Sequence, residues 1–329
     1  MLRDRGVVVI SIRSFRNDDL PAIAEIWNRQ APCRARLQPM TCPLFEREVL
    51  SKPFFDRHGL LVAVADGDLV GFVHGAFAAD SEGAQLSREM GVICTLQVTP
   101  RADRCQIADL LLRQSESRLA AEGAKRFLGG CARPADPFYG GLYGGCIALG
   151  VLDSDEWLLR FLRAAGYASR RESLVLRCAT RAFRPRIHRG LLQIRRTHVV
   201  RVDVDPPAAN WWEACQRGNA QVTRLTLSSR HGQTNQTATV ALWEHRGQTV
   251  ERTAGIVDWT FHDPTVMDGA AEFLLAEAVR RSRREGADWS EMQLGVNDTT
   301  MLELAQRLGF EVVDRAFSLD RIPGPSNPA

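Results

Sequence analysis

Apolar positions along the chain switch repeatedly between a period of two and a period near 3.6, and each switch marks an element boundary. Residues 7–15 alternate in the manner of a strand. Asn17, Asp18 and Asp19 then offer a helix cap ahead of residues 20–30, where Leu20, Ile23, Ala24 and Trp27 share one face. A second helix is predicted at about residues 43–50. Residues 60–65 and 69–77 read as the arms of a hairpin, because Asp66-Gly67 between them supplies the positive φ a tight turn needs. A further strand covers residues 90–98, and after the break at Thr99-Pro100 a helical pattern runs over 103–122 and ends at Gly123. This strand, tight loop and helix aim the unpaired N–H groups and positive dipole end of a first helical turn into one small space suited to a phosphate.

Residues 126–131 form a short strand pattern, followed by ADPFYGGLYGGCIALGVL, a stretch rich in glycine and aromatic residues and too long for a plain connection. Asp153-Ser154-Asp155 is positioned to cap a helix reaching Ala165, and Gly166-Tyr167 leads into a strand at 172–177. The order to this point, βααβββαβαβ, implies a mixed sheet with helices on its faces. Residues 180–196 carry six arginines and one proline and read as an interdomain connector with a solvated face. The pattern then restarts, with strands at 199–204, 239–244, 255–261 and 289–294, and helices near 210–218, 269–284 and 298–308. Residues 309–319 read as a closing hairpin-like extension. Both halves end in helix, Gly-aromatic, strand.

The chain has 329 residues, enough for two domains of roughly 150 each, since single cores stop growing at about 250–300 residues. The expected division is 1–179, an Arg-rich linker at 180–197, and 198–329. A net charge of +3 is too weak to argue for a nucleic-acid partner. Eight cysteines, scattered without a C-x-x-C pair and mostly within apolar runs, read as buried reduced thiols rather than disulfides or zinc ligands, and no metal is expected. Without a readable signal peptide or membrane span, a cytoplasmic protein is expected.

Three features carry a resemblance to a known family. These are the hairpin VADGDLVGFVHG at 64–75, the run Leu96-Gln97-Val98-Thr99-Pro100 followed by Gln106-Ile107-Ala108 and Leu111-Leu112, and the endings FLRAAGY at 161–167 and LAQRLGF at 304–310. With them the sequence resembles the GNAT superfamily of acyl-CoA-dependent acyltransferases, in particular its tandem, mycothiol-synthase-like members, over about residues 9–178 and more faintly over 198–321. The resemblance implies an α/β (α+β mixed sheet) fold of two tandem domains, the second more degenerate. It also implies acetyl-CoA or another acyl-CoA as cosubstrate and a small-molecule or peptide amine as acceptor. A homodimer stays open, because tandem halves can supply the sheet contact that single-copy relatives make by dimerising.

In that family the loop before the helix reads Arg/Gln-x-x-Gly-x-Gly/Ala, since small residues let the main chain approach a pyrophosphate. The matching positions are Asp103, Arg104, Cys105, Gln106, Ile107 and Ala108, with Leu96 and Val98 of the preceding strand beside the pantetheine arm. Asp103 brings repulsion that Arg101 and Arg104 can offset. The second copy, Val266 to Ala271, keeps both small residues, Gly269 and Ala271. The tyrosine that relatives place four residues before the Gly-aromatic pair, to protonate the leaving thiolate, is replaced by Leu162 and Ala305. Tyr139 and Tyr143 are therefore the candidates for the acid, with packing of the loop as the alternative reading. No base stands out. Asp153 and Asp155 read as helix caps, Asp258 and Glu291 as strand acids facing either a cleft or, as isolated strand acids mostly do, solvent, and His74 as a core or rim residue. The function expected is acyl transfer to an amine, and the alternative is a catalytically degenerate pair acting as a ligand-binding or scaffold protein.

Overall fold

The computed structural model describes residues 9–322 except 102, 141, 144–146, 148, 186–187, 219, 231–235, 246–250 and 262–266. In chain order the first half contains β1 (Ile10–Ser14), α1 (Leu20–Asn28) and α2 (Cys42–Phe45), which runs on into a wider turn at Glu46–Leu50. These are followed by β2 (Leu60–Ala65), β3 (Asp68–Ala79), β4 (Leu86–Val98), α3 (Arg104–Ala121), β5 (Arg126–Gly129), β6 (Val151–Leu152), α4 (Glu156–Ala164) and β7 (Ala168–Ala179). The second half contains α5 (Arg189–Thr197), β8 (His198–Val204), α6 (Trp211–Arg217), β9 (Ala220–Ser229), β10 (Gln236–His245) and β11 (Thr253–Phe261). It closes with α7 (Met267–Arg284), β12 (Trp289–Gly295), α8 (Thr299–Arg307) and β13 (Glu311–Arg321).

Local chemistry accounts for most of these boundaries. Asp66 and Gly67 both have positive φ, 54° and 89°, as the β2–β3 turn requires. The Asp19 carboxylate accepts the Arg16 N–H at 2.7 Å and both terminal nitrogens of Arg13 at 2.7 Å, anchoring the entry to α1. Gly75 lets α3 lie close on β3, since an added Cβ would stand 2.3 Å from Ser115 Oγ. Within the Arg-rich stretch, residues 189–197 form a helix instead of open connector. Leu191 and Ile194 are buried three residues apart while Arg189, Arg195 and Arg196 face out.

The strands join one sheet in the order β1-β2-β3-β4-β5-β13-β7-β12-β11-β10-β9-β8, with β6 paired to β13. The halves exchange their last strands. β7 leaves the first half to pair with β12, from Trp289 opposite Ala179 to Gly295 opposite Ser173, and β13 returns to lie between β5 and β7. Residues 309–319 are thus an inserted strand, antiparallel to both neighbours, and not a hairpin. Each half's inner edge is thereby paired with a strand of the other, β5 with β13 and β7 with β12. In the first half α1 and α2 cover one face, with Phe15, Phe45 and Phe72 fully buried, and α3 and α4 cover the other around Ile107, Leu111 and Leu112. In the second half α5, α7 and α8 pack on Leu227, Val240, Ile256 and Met292. Burying each such side chain contributes about 1.5–3 kcal/mol. Of the described cysteines, Cys94, Cys131 and Cys178 are buried, whereas Cys105 is exposed.

Candidate active site

Strands β4 and β5 run parallel only from Met90–Ile93 opposite Arg126–Gly129, and the last bond between them is Gly130 N–H to Ile93 C=O at 2.9 Å. The β3–β4 register then shifts: Gly75 faces Ile93 and His74 faces Thr95, so Cys94 is an extra, bulged residue. Past the bulge β4 stays with β3 while the chain after β5 turns away, and a gap opens. Thr99 N–H bonds Val70 C=O at 2.9 Å. By the alternation of an antiparallel ladder, Thr95 and Gln97 also direct their main chain to β3, and Leu96 and Val98 direct theirs to the gap. The Val98 carbonyl is met by the side-chain amide of Gln30, whose Nε2 donates to it at 3.1 Å and to Ile26 C=O at 3.0 Å.

The start of α3 stands at the end of this gap. Ile107 N–H already bonds Asp103 C=O at 3.1 Å, so the main-chain donors of Cys105 and Gln106 are those of the first turn left without an acceptor in the helix. Both residues are exposed, while Ile107 and Ala108 are fully buried against the sheet. The carboxylate of Asp103 is clasped by Arg101, which offsets its charge. Arg104 lies over the Trp157 ring with its Cζ 3.6 Å from the centroid and donates to Gln30 Oε1 at 2.7 Å. Burial pulls the Arg104 pKa down and Asp155 opposes that shift. Of the two arginines expected to attract an anion, one neutralises Asp103 and the other is turned onto an indole.

On the α1 side of the gap is a cavity of about 60 Å³ lined by Trp27, Arg36, Gln97, Tyr139, Tyr143 and Asp155, among others. It has room for roughly four waters, or a group of acetyl size. Tyr139, with φ of 66°, stacks on Trp27 at 5.9 Å and shares a 3.0 Å hydrogen bond with His74 Nδ1. Burial pushes its phenol well above the usual value, helped by Cys94 and Cys131. His74 is 1% exposed; burial and then Arg118 bring it down to about 3, so the ring is neutral. Arg36 Nη1 bonds Asp155 Oδ2 at 2.5 Å with both side chains under a tenth exposed, and its Nε has no hydrogen-bond partner among the described residues. Asp155 stands at the cap position of α4, but its carboxylate makes no cap bond and serves Arg36 instead. Tyr143 donates its hydroxyl to Glu291 Oε1 at 2.6 Å, across the boundary between the halves.

The fold thus gathers Leu96, Val98, Arg104, Cys105, Gln106, Ile107, Ala108, Tyr139 and Tyr143 around one gap. Gly269 and Ala271 lie apart, on the first turns of α7. A Cβ on Gly269 would meet its nearest neighbour, Ile194 Cγ1, at 3.7 Å, and Ala271 is buried on the core. His262, Asp263, Pro264 and Val266 lie outside the described residues. Asp258 is exposed and pairs with Arg133 at 2.7 Å, whereas Glu291 is fully buried, because the first half's loop covers its strand face. Gln30 and Arg36 were not singled out by sequence. Gln30 ends an ordinary helix pattern, Arg36 sits in an irregular loop, and only the fold brings them over the gap. Among the described residues no helix is long and apolar enough to cross a membrane, and no group of three or more His, Cys, Asp or Glu could hold a metal ion.

The model of the acetyltransferase (GNAT) family matches residues 20–140. No curated protein matches the chain. Among solved structures, the chain is similar to a tandem GNAT protein from the clavulanic acid biosynthesis pathway (TM-score 0.65, 14% identity, 97% of this chain and 100% of that one). It is also similar to a GCN5-related N-acetyltransferase from Sphaerobacter thermophilus (TM-score 0.61, 15% identity, 96% and 97%). A third is the GCN5-related glucosamine N-acetyltransferase region of a fungal multi-domain GH3 β-N-acetylglucosaminidase (TM-score 0.69, 13% identity), where the match covers 96% of this chain and 38% of that one.

Proposed function

From the premise that this chain is a tandem GNAT-fold protein, with residues 20–140 matched by the acetyltransferase family model, we propose that its first half transfers an acyl group from acyl-CoA to an amine. One observation carries the reading. Leu96 and Val98 turn their main chain into the β4–β5 gap, and the acceptor at Val98 is already engaged by an amide, that of Gln30. An amide-bearing pantetheine arm fits the same acceptor once Gln30 swings aside. The Cys105 and Gln106 N–H groups at the end of the gap suit a diphosphate, reinforced by the dipole of α3 and by Arg104 when it leaves Trp157. Ile107 and Ala108 contribute by packing the turn against the sheet.

Bound acyl-CoA supplies an acyl carbon activated as a thioester. The cavity then orients an amine from the α1 side, so that the C–N bond forms as the C–S bond breaks. Tyr139 keeps its proton at neutral pH, and in the His74 tautomer that carries its hydrogen on Nδ1 the neutral ring donates to the phenol oxygen, which leaves the phenol proton to be offered to the departing sulfur. Asp155, held by Arg36, is the carboxylate among the described lining residues and is the group placed to accept a proton from the amine. The acceptor on this reading is an amine carried by a small molecule or a peptide.

The engagement of Arg101 and Arg104, together with Leu162 and Ala305 where relatives carry the acid, favours a second reading, a degenerate pair that binds or scaffolds. Calorimetry with acetyl-CoA separates them. Acyl transfer predicts binding that weakens about three- to thirtyfold in Gln106→Glu, which places a negative charge at the helix mouth. Tyr139→Phe should bind normally and lose roughly a hundredfold in kcat. No heat at any acyl-CoA concentration favours the scaffold.

A further inference from the structure

The loop that carries Tyr139 and Tyr143 belongs to the first half by sequence, yet the second half holds it at several points. Tyr143 donates to Glu291 Oε1 at 2.6 Å, and Glu291 Oε2 lies 2.8 Å from Arg177 Nε. Gln293, two residues along β12, donates to Ile147 C=O at 2.9 Å and contacts Tyr143 Oη at 3.3 Å. Trp212 of α6 donates to Pro134 C=O at 2.7 Å. Within the loop, Leu142 N–H bonds Tyr139 C=O at 3.0 Å, a short-range tie between Tyr139 and the residue before Tyr143.

Resting on the acyltransfer reading, we propose that Glu291 is a positioning residue for the first half's site: it fixes Tyr143, and through the 139–142 turn sets Tyr139 against the cavity. Glu291 is fully buried, and a buried ion pair such as Glu291–Arg177 gives little stability beyond what an apolar pair of the same volume would give. What it does supply is direction. A short bond from a phenol to a carboxylate already oriented by a guanidinium fixes where the tyrosine ring stands. Sheet packing alone would leave the ring free to slide. The second half thereby acts as the template on which the first half's catalytic loop is set.

The test uses the full chain with Glu291→Ala, Glu291→Gln and Tyr143→Phe, read by hydrogen–deuterium exchange around residues 139 and 143 and by steady-state kinetics with acetyl-CoA. Glu291→Ala and Tyr143→Phe should each raise exchange in that segment. Each should lower kcat by roughly ten- to a hundredfold with the KM for acetyl-CoA unchanged, the scale of a misplaced catalytic group. The double variant should be no worse than either single one, and Glu291→Gln, which keeps an oxygen acceptor, should recover most of the rate. Tyr143→Phe leaves the Glu291–Arg177 pair in place and so decides the matter if Glu291→Ala fails to fold. Unchanged exchange, or a lowered melting temperature with kcat intact, overturns the proposal. If exchange rises but the wild-type protein transfers no acyl group, the loop clamp stands and the acyltransfer reading falls.

Discussion

Between β4 and β5 the first half opens onto a cavity whose largely apolar lining carries Arg36, Gln97 and Asp155, and α1 and α2 roof the sheet around it. On the second half's sheet, the face opposite α7 has Ile147 of the first half seated among Val222, Ala241, Trp243 and Val257, beside the short α6. The two halves repeat an order of elements without repeating a site. One has an open cavity on that face, and the other uses the same face to receive its neighbour's loop. A face that lines a cavity in the first half is, in the second, a support for the first half's loop.

The largest test of this asymmetry is to remove the support. A chain ending at residue 197 leaves β7 without β12 and β5 without β13, so it should show no cooperative thermal transition by circular dichroism. If it folds, the halves are independent and the strand exchange is incidental. Core deletions probe the same point more gently. Leu111→Ala in α3 and Leu275→Ala in α7, both fully buried, should each cost about 2–5 kcal/mol. Each should lower one shared unfolding transition seen by calorimetry; two separable transitions would mean that the halves unfold apart.

A smaller effect comes from the seam. The carboxyl of Asp136 is raised from 3.8 to about 7 by burial, against the opposing pull of Arg133 and Lys52 and a hydrogen bond from Gln216. Between those values the folded protein holds a proton that the unfolded chain has released. This group's contribution is therefore largest in acid and is lost as pH rises through about 7. His74 acts in the opposite direction, because its value is depressed: its contribution is present above 6.5 and fades as pH falls towards 3. Melting temperatures at about pH 5.5 and about pH 8 should show Asp136→Asn gaining on the wild type at the higher pH. A variant that tracks the wild type at both would place the proton elsewhere.

Much of the local design was readable in advance. Asp66-Gly67 announced its turn, the break at Thr99-Pro100 announced the β4–α3 junction, and the two Gly-aromatic endings announced a repeat. Each of these depends on residues within a few positions of one another. The misreadings share a different cause. Asp155 stands where a cap should be, yet its carboxylate is taken by Arg36, 119 residues earlier in the chain. Glu291 alternates as an exposed strand acid would, yet it is sealed by a loop nearly 150 residues away. Residues 189–197 are rich in arginine and still form a helix, because α7 offers Leu191 and Ile194 a surface to pack on.

By itself the sequence determined most of the elements, the turns between them and the doubled order, because hydrophobic period and turn chemistry are written in neighbouring residues; β9 (Ala220–Ser229) and α5 (Arg189–Thr197) went unread. Tertiary structure alone decided that β7 and β13 change places, that Gln30 reaches Val98 and Arg36 reaches Asp155, and that Glu291 of the second half takes the hydroxyl of Tyr143. A strand's pattern shows which of its faces is buried but not which strand lies beside it, and a polar side chain's role depends on the partner that desolvates it. Both are properties of distant residues brought together.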